Sequence, residues 1–581
     1  MAAAWRPAQW LVVDAALAAI WAGLALTLLL FLINPEPPLT LGGFVHTLIA
    51  LGPAIMVMFV LLGPGLVLIA VSLRVGHTTG HGLRLRYVVR FALLDALLLG
   101  VAAGLEMQEV GSLLPRVSQL ALALLIATCG LTAIAFLVLM LVDLEHPGRI
   151  GAPVVATIGL AVTITFGVIA DLRRVRPSFE RPASLSDFVP EGPALVIEIA
   201  GLDLPTVREA SERGLTPALE SLLARGASAT VDPGPLAAPL VVHTSLLTGR
   251  TPPEHGVLGE ARHRPRGGNV SFALLPRGLF LRKLMFDPLW ETIPNDRDAV
   301  RTVALPGIAR ALGLRSAMIG DPLRWPSSQA QVAFDDKALQ SPREVTLPSP
   351  LGSVACPEPT TVGDRFFSAT ADELPSRAEA NRLVKQALGQ DLCTLSVAQR
   401  IAAAGRVDLL WVRLSGYPRL AQQFAGLQEG KTARAVSDRE LDAYGRTLIR
   451  VLRELDTPLG QLIDTLGPRA RVMLISPQGL VPRHDTRRLW EALIGAETPS
   501  ASWEGPQLGM VIFGGEGVSP GRSWAEPIPV TSLLPTLLWS QGLPAAENMG
   551  PLVPRAFTPD FLLRRPVVAV PSFGAVGTDA D

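Results

Sequence analysis

Five long apolar stretches, nearly free of charged residues, occupy the first 174 residues of this 581-residue chain. An α-helix rises about 1.5 Å per residue, so each stretch is long enough to cross a hydrocarbon core of about 30 Å. We therefore expect residues 1–174 to form a helical transmembrane domain. Its five predicted spans are 11–33, 46–72, 87–105, 120–142 and 153–170.

The composition of the whole chain also predicts a membrane-embedded part. Hydrophobic residues make up 49% of the chain and charged residues only 18%, with a mean hydropathy of +0.37. These values are too apolar for an ordinary soluble protein of this size. The 51 basic residues are balanced by 51 acidic residues, which argues against a nucleic-acid partner. The lipid bilayer is the partner that the composition predicts.

Arginines between the spans indicate the orientation. Arg6, Arg74, Arg84, Arg86 and Arg149 fall on one side of the membrane, which the positive-inside rule assigns to the cytoplasm. Arginines after the fifth span break the pattern, but large domains are translocated in spite of such charges. We expect an integral protein of a bacterial inner membrane with its C-terminal domain outside the cytoplasm. If one apolar stretch is miscounted, the C-terminal domain lies on the cytoplasmic side instead.

Asp95, near the middle of the third predicted span, is the one clearly intramembrane charge. Such a group marks either a functional polar site or an interhelical hydrogen bond. The spans lack the paired charges and duplicated broken helices of a transporter. We therefore favour the hydrogen bond, and keep a transporter built around Asp95 as the weakest of three functional hypotheses.

After about residue 175 the sequence becomes Pro-rich and charged, and 175–193 have the composition of a linker. The apolar run 195–201 is too short for a helix and predicts a buried parallel strand. Similar runs alternate with helical patterns further on, which predicts an α/β layered domain. We place this domain at 194–555, with a cap insertion at about 330–405 and a C-terminal tail at 556–581. The later predicted strands are 409–414, 471–476 and 509–515.

The cysteines of this second part, Cys356 and Cys393, are too few for a disulfide framework and wrongly spaced for a zinc knuckle. A single bridge between them is possible if the domain is exported.

Several motifs of the second part occur in a fixed order. They are LVIEIAG (195–201), GLTPALESLLARGA (214–227), HTSLLTGRTPPEHGV (243–257), PLWETI (288–293), GLRSAMIGDPLRWP (313–326) and VTSLLPTLLWSQGLP (530–544). In this order they resemble the alkaline phosphatase superfamily, and more closely its type I phosphodiesterase/nucleotide pyrophosphatase branch. The resemblance covers nearly all of 193–550. It implies a layered sheet with helices on both faces.

The resemblance also implies a reaction, which is metal-assisted displacement at phosphorus. Two divalent cations, usually zinc, activate a Thr or Ser nucleophile and stabilise the attacking and leaving oxygens. The family's first-strand Asp corresponds here to Ala200, and its nucleophile, ten residues before Gly249, corresponds to Pro239. Neither side chain can bind a cation or attack phosphorus.

The remaining ligand positions of the family carry residues that do not ionise. An Asp and a His behind the strand 409–414 correspond to Pro418 and Gln422, and the Asp-His pair behind 471–476 corresponds to Pro477 and Gln478. The family's last His is expected within 503–507, where there is none. Because neighbouring glycines stay in register, we infer that the bimetal site is absent and expect no cofactor.

Two functional hypotheses follow from the resemblance. The favoured one is a membrane-anchored pseudoenzyme that acts as a binding or scaffold module at the cell envelope, with a possible membrane or envelope protein as its partner. The alternative is an active phosphodiesterase or phosphotransferase, acting on nucleotide or lipid-linked phosphodiesters through a rearranged site. That site would need at least three of five candidates to converge, which are Asp203, His243, His255, His484 and Asp485.

The favoured interpretations of these five candidates are structural. His255 resembles a family residue that shapes a loop, and Asp203 is expected to cap the turn that follows it. His484 and Asp485 lie just past the loop 477–483, where surface charge is the commoner explanation. Glu198 is set aside because it lies within the first strand.

Overall fold

The computed structural model of the chain describes residues 23–34, 40–52, 97–141 and 180–576, apart from short internal gaps. The gaps are 25, 98–99, 109, 115, 183–184, 186–187, 236–237, 276–288, 327–329, 331, 336, 341–342, 358–365, 368–376, 429–436, 483–500 and 504–506.

The described helices are numbered here in chain order. They are α1 (Arg116–Leu141), α2 (Leu204–Glu212), α3 (Pro217–Arg225), α4 (Pro239–Thr248), α5 (Pro252–His255), α6 (Leu305–Ala311), α7 (Arg377–Ala403), α8 (Gly416–Phe424), α9 (Asp438–Tyr444), α10 (Thr447–Leu466), α11 (Leu533–Ser540) and α12 (Pro559–Arg564). Residues 26–33, 41–52 and 100–108 are also helical.

The described strands are numbered in the same way. They are β1 (Glu180–Pro182), β2 (Ala194–Glu198), β3 (Ala227–Asp232), β4 (Ala261–Pro265), β5 (Trp290–Pro294), β6 (Ser316–Ile319), β7 (Val332–Phe334), β8 (Glu344–Thr346), β9 (Ser353–Ala355), β10 (Leu409–Arg413), β11 (Arg471–Ser476), β12 (Val481–Pro482), β13 (Ala501–Ser502), β14 (Gly509–Gly514), β15 (Arg522–Pro529), β16 (Ala545–Ala546), β17 (Ala569–Val570) and β18 (Gly574–Val576).

The chain divides into two compact units. The first comprises Met1–Pro177 and Ala261–Pro294, and the second comprises Ser178–Glu260 and Asn295–Asp581. The segment Ala261–Pro294, which the motif order places inside the 194–555 domain, therefore groups with the N-terminal residues. Its strands β4 and β5 form an antiparallel hairpin of their own and do not join the main sheet.

The predicted spans fall only partly within the described residues. The span 153–170 lies wholly outside them, as do Asp95 and most of the spans 11–33, 46–72 and 87–105. The span 120–142 corresponds to α1, whose side chains are described without a break only over 118–131. Within the described part, no helix is long and apolar enough to cross a membrane.

An eight-stranded sheet forms the centre of the second unit, in the order β15-β3-β14-β11-β2-β10-β6-β7. The run from β11 to β7 is parallel, whereas β14 is antiparallel to both of its neighbours. Strands β2, β11 and β14 are buried along their whole length, as expected for strands covered on both faces. The predicted α/β sheet domain is confirmed, and the predicted strands agree with β2, β10, β11 and β14 to within three residues.

Alternation along β2 separates the two faces of the sheet. Leu195 and Ile197 belong to a core cluster that also contains residues of α2, α3, α7, α8 and α10. Glu198 points to the opposite face, because successive strand residues alternate, and there it meets His243 of α4. Helices therefore cover both faces of the sheet.

The predicted linker, tail and cap differ from the structure. β1, inside the predicted linker, pairs antiparallel with β18 at the end of the predicted tail, with Glu180 opposite Val576. Within the predicted cap, β7 extends the main sheet, and α7 buries residues such as Val384 and Leu388 in the core. An apolar helical stripe facing the sheet makes α7 part of a layer and not a cap.

Cys356 and Cys393 form a disulfide bond across a sequence separation of 37 residues. Cys393 lies on α7 and is buried, and Cys356 follows β9 directly. The bond therefore ties the β8–β9 hairpin to a core helix.

Candidate functional site at the carboxyl ends of the strands

Four parallel strands, β11, β2, β10 and β6, end at the same edge of the sheet. Ligand sites of open α/β sheets lie at this edge, in the crevice outside the carboxyl ends of the strands. The residues that follow the strands here are Pro477 and Gln478 after β11, Ala200 after β2, Ser415 after β10 and Asp321 after β6. This edge contains the positions at which the family resemblance predicts a metal centre.

Apolar side chains enclose the turn after β2. Gly201 has a φ of +80°, a left-handed conformation that glycine adopts without strain. A Cβ placed on Gly201 would lie 3.0 Å from Leu480 Cδ1, 3.1 Å from Trp503 Cη2 and 3.2 Å from Ala421 Cβ. Trp503 is the first residue of the segment in which the family's last His is expected. The space beside β2 is therefore packed with hydrocarbon groups.

The six positions that the resemblance assigns to the metal ligands and the nucleophile offer little to a cation. Ala200, Pro418 and Pro477 are buried, and Pro239 is the first residue of α4. Gln422 is half-buried on α8, and Gln478 is 1% exposed.

Divalent cations in such sites need carboxylate and imidazole ligands, and none of these six side chains supplies one. Among the described residues, no three His, Cys, Asp or Glu side chains are grouped to hold a metal ion. The side chains at the family's positions therefore do not fit a pair of divalent cations.

The amide of Gln478 is unusual because neither Nε2 nor Oε1 has a hydrogen-bond partner among the described residues. Its backbone is well fixed, since the carbonyl oxygen accepts hydrogen bonds from Gly201 N at 3.1 Å and from Ser476 Oγ at 3.1 Å. Ser415 Oγ, just after β10 on the other side of β2, is also buried and without a partner among these residues. An unsatisfied buried polar group costs about 1–3 kcal/mol.

A charged cluster lies on the α4 face of the same edge. His243 Nδ1 lies 2.8 Å from Glu198 Oε2, and His243 Nε2 lies 3.3 Å from Asp321 Oδ2. His243 is fully buried, and both carboxylates are at most 2% exposed. The imidazole ring is therefore held between two carboxylates from the ends of β2 and β6.

The two carboxylates set the protonation of His243. Burial by itself lowers the pKa of His243, but the charges of Glu198 and Asp321 outweigh it and raise this pKa to about 9. Burial likewise raises the pKa of Glu198, but His243 and Arg413 outweigh it and lower this pKa to about 2. At neutral pH the cluster therefore contains the imidazolium form of His243 beside the ionised carboxylate of Glu198.

Two residues of β10 complete the surroundings of Glu198. Arg413 Nε donates to Glu198 Oε1 at 3.1 Å, and Trp411 Nε1 donates to Glu198 Oε2 at 3.2 Å. Each member of the cluster of Glu198, His243, Asp321 and Arg413 therefore has a hydrogen-bond partner within the protein, as a stable buried network requires.

Glu260 lies at the start of α4, next to the position of the family's nucleophile. Its Oε1 accepts a hydrogen bond from the backbone N–H of Leu240 at 2.8 Å. The first N–H groups of a helix have no partner within the helix, and Ala238 at the N-cap has no capping side chain. Glu260 therefore caps α4 from outside the helix.

The other candidates of the sequence analysis do not join the cluster. His255 Nε2 bonds to Ser245 Oγ at 2.9 Å, while burial and the charge of Arg301 lower the pKa of His255 to about 3. Asp203 Oδ1 accepts from Thr206 N at 2.8 Å and caps α2. His484 and Asp485 lie outside the described residues. Of the described candidates, only His243 lies in the cluster, and the three do not converge.

Asp391 on α7 positions the helix that carries Pro418 and Gln422. Its carboxylate accepts from Gly416 N at 2.7 Å and Tyr417 N at 2.6 Å, the first two residues of α8. Burial outweighs these two hydrogen bonds and raises the pKa of Asp391 to about 7. A Cβ on Gly416 would lie 1.9 Å from Ala387 O, so only glycine permits this close approach of α7 and α8.

Asp321, Arg413 and Trp411 were not among the sequence candidates, and Glu198 was set aside as a strand residue. Glu198 is the last residue of β2, so its side chain lies at the functional edge. The sequence contains a signal for this cluster. Glu198, Arg413 and Asp321 are charged residues at the carboxyl ends of three apolar strands. Which face of the sheet each one occupies depends on register, which the sequence does not display.

The profile of the type I phosphodiesterase/nucleotide pyrophosphatase family matches residues 194–504, more than half of the chain. The chain belongs to this family. The match begins at β2 and ends just after β13, so it includes the whole cluster and the six positions that the resemblance assigns to the metal site.

Several solved structures resemble this member of the family. Alkaline phosphatase PafA is 10% identical, with 64% of this chain and 100% of that chain covered and a TM-score of 0.41. Murine ectonucleotide pyrophosphatase/phosphodiesterase 5 is 12% identical, with 63% and 100% covered and a TM-score of 0.33. Phosphonoacetate hydrolase from Sinorhizobium meliloti 1021, in complex with phosphonoformate, is 16% identical, with 55% and 66% covered and a TM-score of 0.32.

All three TM-scores are below 0.5, so the family assignment rests on the sequence profile. No curated protein matches the chain.

Proposed function

We propose that this chain is a membrane-anchored, catalytically inactive member of the type I phosphodiesterase/nucleotide pyrophosphatase family that acts as a binding or scaffold module at the cell envelope. The observation that carries the proposal is the packing of Leu480, Trp503 and Ala421 around Gly201. These groups occupy the edge of the sheet at which the family's chemistry requires charged ligands.

Two features support the proposal together. The metal ligands are replaced by other residues, and apolar side chains pack at the same edge. An empty two-metal site leaves carboxylates close together, and their mutual repulsion disfavours the ionised state. Residues that do not ionise at Ala200, Pro418 and Pro477 avoid that repulsion. The cluster around Glu198 contains its own cations, His243 and Arg413. The family domain is therefore expected to be stable without bound metal ions.

The polar groups that remain at the same edge also support inactivity. The side-chain amide of Gln478 and the hydroxyl of Ser415 are buried there and carry no charge. They cannot replace the carboxylate and imidazole ligands that a divalent cation requires. A binding or scaffold role is the function that remains for a family domain without this chemistry.

Membrane anchoring is supported by exposed apolar stripes in the first unit. Leu41, Val45 and Ile49 are spaced four residues apart in the helical stretch 41–52, so they share one face, and they are 82%, 42% and 65% exposed. Leu97, Val101 and Leu105 repeat the pattern at 50%, 55% and 43%. Such faces are unfavourable in water and favourable in a bilayer.

The Cys356–Cys393 bond supports an extracytoplasmic location for the second unit. Disulfides persist in oxidising compartments and are rare in the cytosol. We therefore propose an integral membrane protein with its family domain on the outer side of the inner membrane.

An assay of phosphodiester hydrolysis tests the inactivity. The purified full chain, supplied with zinc or manganese, is mixed with bis-4-nitrophenyl phosphate beside an active family member as a positive control. We expect no release of nitrophenolate above the metal-only blank. Saturable turnover that a chelator removes would contradict the proposal and favour the rearranged hydrolase. A subsequent loss of that turnover in His243→Gln would place the rearranged site at the cluster.

A further inference from the structure

Residues 261–275 and 289–294 dock within the first unit, in part through a buried amide. Asn34 is 1% exposed, its Nδ2 donates to Leu274 O at 2.8 Å, and its Oδ1 accepts from Leu274 N at 2.7 Å. One side chain therefore satisfies both backbone groups of a residue that lies 240 positions away. Phe272 packs edge-to-face on Phe31 at 5.1 Å, and Trp290 Nε1 donates to Ala50 O at 3.1 Å.

The docked hairpin carries a row of arginines. Arg262 and Arg264 alternate with His263 along β4, so they share one face of the strand. Arg266 directly follows the strand, and its backbone N–H donates to the carbonyl oxygen of Leu289, the residue before β5, at 2.9 Å. We call Arg262, Arg264 and Arg266 the arginine face.

Opposing charge on the hairpin is limited. Glu291 lies opposite Arg264 in the register and forms an ion pair with it at 2.7 Å, where both side chains remain more than one third exposed. The sequence of 261–294 contains six Lys and Arg residues and two Asp and Glu residues. This segment is therefore basic in a chain whose formal net charge is zero.

The first unit thus combines exposed apolar stripes with a basic hairpin that is fixed to its helices. Basic and apolar surface together are the features that bind anionic membranes, because arginines near the surface attract the headgroups while apolar side chains enter the hydrocarbon. A nucleic acid could bind the same arginines, but its binding would not require the exposed apolar stripes. The combination favours a lipid surface.

We propose that the arginine face binds the phosphate groups of anionic phospholipid headgroups at the membrane surface. This proposal rests on the proposed membrane anchoring of the first unit. Asn34 and Trp290 fix the hairpin to the helices, and the arginines then contact the headgroup layer beside them.

The test counts lipids that stay bound to the full chain. Protein in detergent is mixed with equal amounts of phosphatidylcholine and phosphatidylglycerol, and retained lipids are identified by native mass spectrometry. We expect phosphatidylglycerol to be enriched. Each basic residue near an anionic surface contributes about 1 kcal/mol, so each arginine replaced is expected to lower the enrichment by about fivefold.

The decisive variant is Arg262→Gln/Arg264→Gln/Arg266→Gln, and its matched control is Arg208→Gln/Arg213→Gln/Arg225→Gln, three exposed arginines of the second unit. The control is expected to keep the enrichment. Equal retention of the two lipids by the unaltered protein, or unchanged enrichment in the decisive variant, overturns the proposal. Displacement of the bound lipid by inorganic phosphate alone also overturns it. If the triple variant does not fold, Arg266→Gln alone gives the same comparison.

A separate arm tests the anchoring. Membranes that contain the protein are washed with alkaline carbonate, and an anchored chain is expected to stay in the pellet. Release into the supernatant would contradict the anchoring, whereas the lipid count would still report on the arginine face. The two failures are therefore distinguishable.

Discussion

His243 Nδ1 lies 2.8 Å from Glu198 Oε2 at a point where both side chains are excluded from water. Asp321 lies on the other nitrogen of the ring. An imidazolium between two carboxylates is a cation that the protein itself supplies, next to the strand ends at which the family resemblance predicts metal cations. The stability of the second unit should therefore depend on this residue and on its proton.

Replacement of His243 by Ala should strongly destabilise the second unit. It leaves Glu198 and Asp321 buried without their shared cation, and breaking a buried ion pair typically costs about 3–5 kcal/mol. The free energy of unfolding, from denaturant titration, measures the cost. Arg213→Ala is the control, because its exposed ion pair with Glu209 should contribute at most about 0.5 kcal/mol. Equal effects of the two substitutions would contradict the role of the cluster.

The pH dependence of stability should carry the signature of His243. Its pKa is about 9 in the folded protein and 6.5 in an unperturbed histidine, so the folded state holds the proton more tightly. The stabilisation is then fully present below pH 6.5 and is lost as the pH rises through 9.

Unfolding free energies at about pH 7 and about pH 9.5 measure this loss, with His243→Gln as the control. The variant should lose less stability over this window than the unaltered protein. Identical losses would show that His243 is not the group that titrates.

Restoration of a carboxylate at the family's first ligand position should fail to restore a metal site. Ala200→Asp places a charge at a buried position, next to Gly201 in the turn after β2, and an unsatisfied buried polar group costs about 1–3 kcal/mol, more when it is charged. We expect lower stability with no added zinc affinity by calorimetry. Ala224→Asp, on the exposed side of α3, should change stability by about 0.5 kcal/mol or less. Stabilisation of Ala200→Asp by zinc would argue for a latent metal site.

Loss of the Cys356–Cys393 bond should lower stability. The bond closes a loop of 37 residues, for which chain entropy gives about 4 kcal/mol, with 2–4 kcal/mol typical of measured cases. Cys356→Ser/Cys393→Ser is compared with the unaltered protein in urea, and with Cys129→Ser, the remaining free cysteine. An unchanged midpoint in the double variant would contradict a stabilising bond.

Disruption of the Asn34 amide should loosen residues 261–294. Asn34→Leu removes the groups that pair with Leu274 N and O, so both become unsatisfied at a cost of about 1–3 kcal/mol each. Cleavage within 261–294 by a protease should become faster than in the unaltered protein. Thr47→Val, which removes a buried hydroxyl bonded within its own helix, serves as the control. The same cleavage rate in both variants would argue against docking through Asn34.

The sheet of the family domain could be predicted from sequence because strands such as β2, β11 and β14 are apolar at every position. β1 and β18 could not be predicted, because each is only three residues long and finds its partner almost 400 positions away. The sequence predicts a cap where α7 lies because no motif of the family was recognised between Trp325 and Leu409. Its apolar stripe is visible only when the facing helix α10 is known.

The absence of metal ligands and of a nucleophile stays a prediction from the family resemblance, in which Ala200, Pro239 and Gln478 are identified because neighbouring glycines hold the motifs in register. What the site contains could not be predicted in the same way. The Glu198–His243–Asp321 cluster joins residues that are 45 and 78 positions apart, and no local pattern predicts such a pairing. The packing of Trp503 against Gly201 likewise depends on a contact between distant loops.

Metal content of the purified full chain tests the central claim most directly. Protein isolated without chelators and equilibrated with zinc and manganese is desalted and analysed by inductively coupled plasma mass spectrometry. The account predicts that neither metal is retained in stoichiometric amount. Retention of close to two ions per chain would contradict it.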